Sequence, residues 1–127
     1  MLDTIRTMQD SGVQPDIWKV EGLDNVDDCE RVVEMARRDG RDDVSCIVLG
    51  HGADEEKVRS WLQIAASVDG FIGFAVGRTT FWRPIADFLA KKITREQAVA
   101  RIADRYVEWG AIFERAASSR QPTIVTR

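Results

Sequence analysis

A chain of 127 residues can build one domain with a real core, and it is too short for a complete (β/α)8 barrel of about 250 residues. Eighteen Lys and Arg against 21 Asp and Glu give a net charge of −3, which leaves a nucleic-acid backbone nothing to hold over most of the surface, so no nucleic-acid partner is expected. With 44% hydrophobic and 31% charged residues the composition is globular, no apolar run approaches the ~20 residues of a membrane span, and Met1-Leu2-Asp3 opens an acidic amphipathic stretch rather than a signal peptide; the expectation is a cytoplasmic protein without a membrane partner.

Leu2, Ile5 and Met8 followed by Asp10-Ser11-Gly12 predict a short helix with a glycine stop, and Pro15 prevents its continuation. Asp16 to Val20, rich in β-branched and aromatic side chains, reads as a strand, and Glu21 to Asn25 as the loop leaving it. The next helix carries Val26, Cys29, Val32, Val33 and Ala36 on one face and stops at Gly40. A second strand, Val44 to Leu49, runs into Gly50-His51-Gly52, and Asp54 is a good N-cap for a helix through Val58, Trp61, Leu62 and Ala65. A third strand, Phe71 to Val76, leads through Gly77-Arg78-Thr79-Thr80 to a helix containing Ile85, Phe88 and Leu89, with Pro84 placed near its first turn. Thr94 and Gln97 form a capping box for a longer terminal helix in which Val99, Ile102, Tyr106, Trp109 and Phe113 recur at intervals of three and four. After Ala117 the chain becomes polar and reads as a loose tail. Strand starts near Asp16, Val44 and Phe71 are 28 and 27 residues apart, the spacing of successive βα units, so the fold class is α/β with three parallel βα units plus terminal helices, in one unit.

Cys29 and Cys46 occur in apolar patterns and in no CxxC, which reads as two packed thiols in a reducing compartment. His51 is the only histidine, and with no GxSxG turn a Ser-His-Asp relay has nothing to build on; its position reads as a surface loop rather than an acid or base. Ligands of parallel α/β proteins sit at the carboxyl ends of the strands, and three such places stand out.

Period two puts Ile17, Lys19 and Glu21 on one face of the first strand, with Trp18 and Val20 packing under helices on the other. A Lys19 desolvated by its neighbours would offer a neutral amine to a carbonyl, with Glu21 orienting it or moving protons; the alternative is a structural Lys19–Glu21 ion pair. At Gly50-His51-Gly52-Ala53-Asp54 a glycine turn meets a helix N-terminus, which is either an anion site or a tight turn whose glycines supply positive φ. At Gly77-Arg78-Thr79-Thr80 an arginine beside a glycine suits bidentate capture of a phosphate, or else pairs with a nearby carboxylate. Two adjacent glycine-bearing loops before the terminal helices match the way barrels hold a substrate phosphate after strands seven and eight. Trp18, Trp61 and Trp109 read as core, while Trp82 either walls a pocket or packs at the start of its helix.

Three segments, Asp16-Ile17-Trp18-Lys19-Val20-Glu21, Val48-Leu49-Gly50-His51-Gly52-Ala53-Asp54 and Gly73 through Trp82, give the chain a resemblance. It resembles the class I aldolases of the tagatose-bisphosphate aldolase type, and most of all the aldolase-like domain fused behind 5-dehydro-2-deoxygluconokinase in bacterial inositol catabolism. The resemblance implies that residues 1–117 form a partial aldolase-like barrel domain, the C-terminal portion of a (β/α)8 barrel without its first five strands, and that residues 118–127 are a polar tail. It implies that Lys19 forms a Schiff base with a substrate ketone, assisted by Glu21, and that Gly50, Gly52, Gly77 and Arg78 bind the substrate phosphate. Neither metal nor cofactor is implied, because a protonated imine itself withdraws the electrons. The implied reaction is retro-aldol cleavage of a phosphorylated keto-sugar, by this likeness 5-dehydro-2-deoxy-6-phosphogluconate to dihydroxyacetone phosphate and malonate semialdehyde, with ketoses of the tagatose or sulfosugar kind as other candidates. A non-catalytic sugar-phosphate-binding or assembly module derived from such a barrel is the alternative. A three-stranded parallel sheet has open edges and an uncovered face, so self-association, or pairing with the missing N-terminal half of the barrel, is expected.

Overall fold

A computed structural model describes residues 1–120. The elements alternate as predicted: α1 Leu2–Asp10, β1 Ile17–Val20, α2 Val26–Ala36, β2 Ser45–Leu49, α3 Glu55–Ala66, β3 Phe71–Ala75, α4 Arg78–Leu89 and α5 Arg95–Ser118. The strands form one parallel sheet in the order β1-β2-β3, with Lys19 opposite Ile47 and Val48 opposite both Val20 and Phe74. A register irregularity between Cys46 and Ile47 shifts β3 so that Phe71 and Phe74 both serve the core.

The helices cover one face of the sheet. Val20, Cys46, Val48 and Phe71 are buried there against Cys29, Val32, Val33 and Ala36 of α2 and Val58, Leu62, Ala65 and Ala66 of α3. Burial pushes the thiols of Cys29 and Cys46 up to about 11, as expected of packed, unreactive cysteines. The α5 helix closes the layer over β3: Phe74 meets Tyr106 and Phe113 at ring separations of 5.8 and 5.9 Å. Trp109 is fully buried, its Nε1 donating to Thr80 Oγ1 at 3.1 Å, with Arg59 and Arg105 over its ring. At the other end of the sheet, buried Gln9 of α1 donates to the Met35 and Ala36 carbonyls and so caps the end of α2.

Several details differ from expectation. Pro84 lies inside α4, not in its first turn, because the helix already begins at Arg78, where the amides of Thr80 and Phe81 turn back onto the Gly77 carbonyl. Val99 and Tyr106, part of the apolar repeat of α5, stay largely exposed. Helix α5 runs one residue beyond Ala117, and Arg120 donates to the Ala66 and Phe71 carbonyls, tying the chain down where a loose tail was expected. The remainder of that tail, residues 121–127, lies outside the described residues. Among the described residues no helix is long and apolar enough to cross a membrane.

Candidate functional site

The three strand ends converge. Lys19 at the end of β1, Leu49-Gly50-His51-Gly52 after β2, and Ala75, Gly77, Arg78 and Phe81 after β3 line one cleft of about 300 Å³. The sequence candidates Lys19, Gly50, Gly52, Gly77 and Arg78 are thus neighbours, and the register explains it: parallel strands in order end on the same side, each followed by its loop.

The β2–α3 turn is tight. The Ala53 amide donates to the Gly50 carbonyl at 2.9 Å, and His51 and Gly52 both take left-handed backbone conformations, with φ of 51° and 71°. A non-glycine residue held in that region stores local strain. The Asp54 carboxylate accepts from the Lys57 amide, so the N-terminus of α3 already carries an anion of its own. Helix α4 differs: its N-cap is Gly77 and no side chain caps it. The end of the loop pair suited to an external anion is therefore α4 rather than α3. The Arg78 guanidinium packs on Gly52, where a Cβ would come within 2.9 Å of it, and Thr79 Oγ1 donates to the Ala53 carbonyl at 2.6 Å, locking the two loops together. Trp82, 64% exposed, forms with Gly52, Ala53, Arg78 and Thr79 a second recess next to the cleft, which bears out the pocket-wall alternative.

At β1 the structure corrects the desolvated-lysine expectation. Lys19 is exposed, because the helices lie on the opposite face of the sheet and nothing among the described residues covers the face shared by Ile17, Lys19 and Ile47. The Lys19–Glu21 ion pair does not form either. Among the described residues neither Lys19 nor Arg78 has an ion-pair partner. Glu21 instead faces His51, with Oε1 3.6 Å from Nδ1. His51 is an exposed residue of the turn, as the sequence reading has it; what that reading lacks is Glu21 as its neighbour. The same reading misses Asp24 too, which accepts from Trp61 Nε1 and from Lys57 Nζ, at 2.8 and 2.7 Å; those hydrogen bonds, Lys57 first, hold its carboxyl below the usual range. No group of three or more His, Cys, Asp or Glu side chains placed to hold a metal ion occurs among the described residues.

A family model described as "Uncharacterized protein conserved in bacteria (DUF2090)" matches residues 1–117. No curated protein and no solved structure matches the chain.

Proposed function

The chain belongs to the DUF2090 family, and from that premise we propose that it is a Schiff-base-forming, class I aldolase-type protein acting on a phosphorylated keto-sugar. The three βα units are read as the C-terminal portion of a (β/α)8 barrel. Lys19 is the nucleophile, whose amine adds to the substrate ketone and expels water to give an iminium ion. Arg78, Gly77 and the open N-terminus of α4, with Gly50 and Gly52 opposite, hold the phosphate and thereby place the ketone at Lys19. By the sequence resemblance the substrate is 5-dehydro-2-deoxy-6-phosphogluconate, cleaved to dihydroxyacetone phosphate and malonate semialdehyde. The face of the sheet that carries Lys19 is completed by association with another polypeptide, a second copy of the chain in the simplest case.

The observation that carries this reading is the single cleft that Lys19 and Arg78 line together with the glycines of two turns, neither cation having an ion-pair partner among the described residues. Its test is reductive trapping. Incubation with dihydroxyacetone phosphate and borohydride is expected to leave an adduct mapped by mass spectrometry to Lys19, absent from Lys19→Arg.

The exposure of Lys19 favours one other reading, a sugar-phosphate-binding module without turnover. Phosphate-ester binding that Arg78→Ala removes, with no adduct in the wild type, would establish that reading and overturn the first.

A further inference from the structure

The Glu21–His51 pair joins the end of β1 to the β2–α3 turn, immediately beside Lys19. His51 is the only imidazole in the chain. It lines the same cleft as Lys19, in a left-handed backbone conformation between two glycines. Glu21 approaches Nδ1, which leaves Nε2 free. At 3.6 Å, with both side chains mostly exposed, the contact is an electrostatic approach rather than a hydrogen bond, and it turns Nε2 away from the carboxylate.

We propose that His51 is the proton-transfer residue of this cleft and that Glu21 is its positioning residue; the inference rests on imine formation at Lys19. With dihydroxyacetone phosphate, Lys19 Nζ bonds to the carbonyl carbon and water departs, giving the iminium. His51 Nε2 then takes a proton from the hydroxymethyl carbon next to the iminium; the C–H electron pair becomes the enamine double bond and the iminium π pair returns to nitrogen. Running backwards, imidazolium returns the proton, so in heavy water a deuteron is delivered and the bound ketone is labelled. The charged groups facing this cleft and its His51 are Lys19 from β1, Glu21 just after that strand and Arg78 from the start of α4, while the Asp54 carboxylate at the head of α3 is engaged on the Lys57 amide.

The experiment follows deuterium incorporation into dihydroxyacetone phosphate by NMR, alongside borohydride trapping on Lys19. Asparagine tolerates the left-handed conformation, so His51→Asn keeps the turn. That variant is expected to lose deuterium exchange by about 100-fold or more, a far larger loss than any in its borohydride trapping on Lys19. Glu21→Ala is expected to lower deuterium exchange more than trapping, and Glu21→Asp, which keeps the carboxylate, to restore part of it; exchange untouched by Glu21→Ala overturns the positioning role. Exchange at the wild-type rate in His51→Asn, or trapping without exchange in the wild type, overturns the proton-transfer role and leaves imine formation standing. Absence of trapping in the wild type overturns both.

Discussion

The chemistry of the cleft rests on a contact without a side chain on one side: Gly52 beneath the Arg78 guanidinium. A Cβ there would stand 2.9 Å from Arg78 Cζ and Nη2, and φ is +71°. Alanine at that position adds a left-handed penalty of about 1–2 kcal/mol. The flexible Arg78 head gives way, moving off the open end of α4. Gly52→Ala is thus expected to lower the unfolding midpoint and to weaken binding of dihydroxyacetone phosphate by about tenfold or more, the worth of a charge-assisted hydrogen bond. Thermal unfolding and isothermal calorimetry measure the two effects, and wild-type affinity in the variant would exclude Arg78 as the anchor. At this scale the sequence was half legible. Lys19 and Arg78 can be picked out because residues that end parallel strands and open helices are identifiable by position alone. The partner of Glu21 cannot, since it depends on how far the neighbouring β2–α3 turn reaches over β1, and one residue of register would send His51 elsewhere.

Elements were legible where a local signal sets them and less so where tertiary contacts decide. The Thr94–Gln97 capping box starts α5 as its sequence pattern says, with both reciprocal hydrogen bonds present. Pro84, by contrast, is an N-terminal signal overridden by packing: Thr80, buried five residues after the end of β3, gives its hydroxyl hydrogen to the Val76 carbonyl and accepts from Trp109, which holds the first turn of α4 in place upstream of the proline. That three-membered chain joins β3, α4 and α5. Thr80→Val preserves shape and removes the acceptor, leaving the fully buried Trp109 Nε1 without a partner, at an expected cost of about 1–3 kcal/mol. Chemical denaturation measures it, and the same substitution in a Trp109→Phe background is expected to cost less, because no orphaned donor remains. Equal costs in the two backgrounds would mean the hydrogen bond contributes nothing to docking α5.

For the molecule as a whole, the alternation of βα units predicted that the strands run parallel, because crossover length leaves little choice, and the structure adds their order, β1-β2-β3. Which residues are buried was less predictable, since period two says that two faces exist and not that only one is covered. Parallel sheets are ordinarily covered on both faces. Here Ile17 is 47% exposed on the open face, and beside it a cleft of about 340 Å³ at the free edge of β1 is lined by Met1, Met8, Trp18, Lys19 and Leu49. The buried Trp18 Nε1 that borders this cleft has no hydrogen-bond partner among the described residues. At the other edge Ile72 of β3 is 57% exposed. Water against those side chains costs about 25 cal/mol per Å² of apolar area, a penalty that a second copy removes by covering them. The expected behaviour is a concentration-dependent rise in sedimentation coefficient above that of the monomer. Ile17→Lys changes an exposed position, so it is expected to leave monomer stability within about 0.5 kcal/mol. Placing a charge in the shared face should nonetheless weaken association by about tenfold or more, the cost of desolvating an unpaired cation. A wild-type chain that sediments as one monodisperse monomer at high concentration would show that this face stays in water, and Lys19 with it.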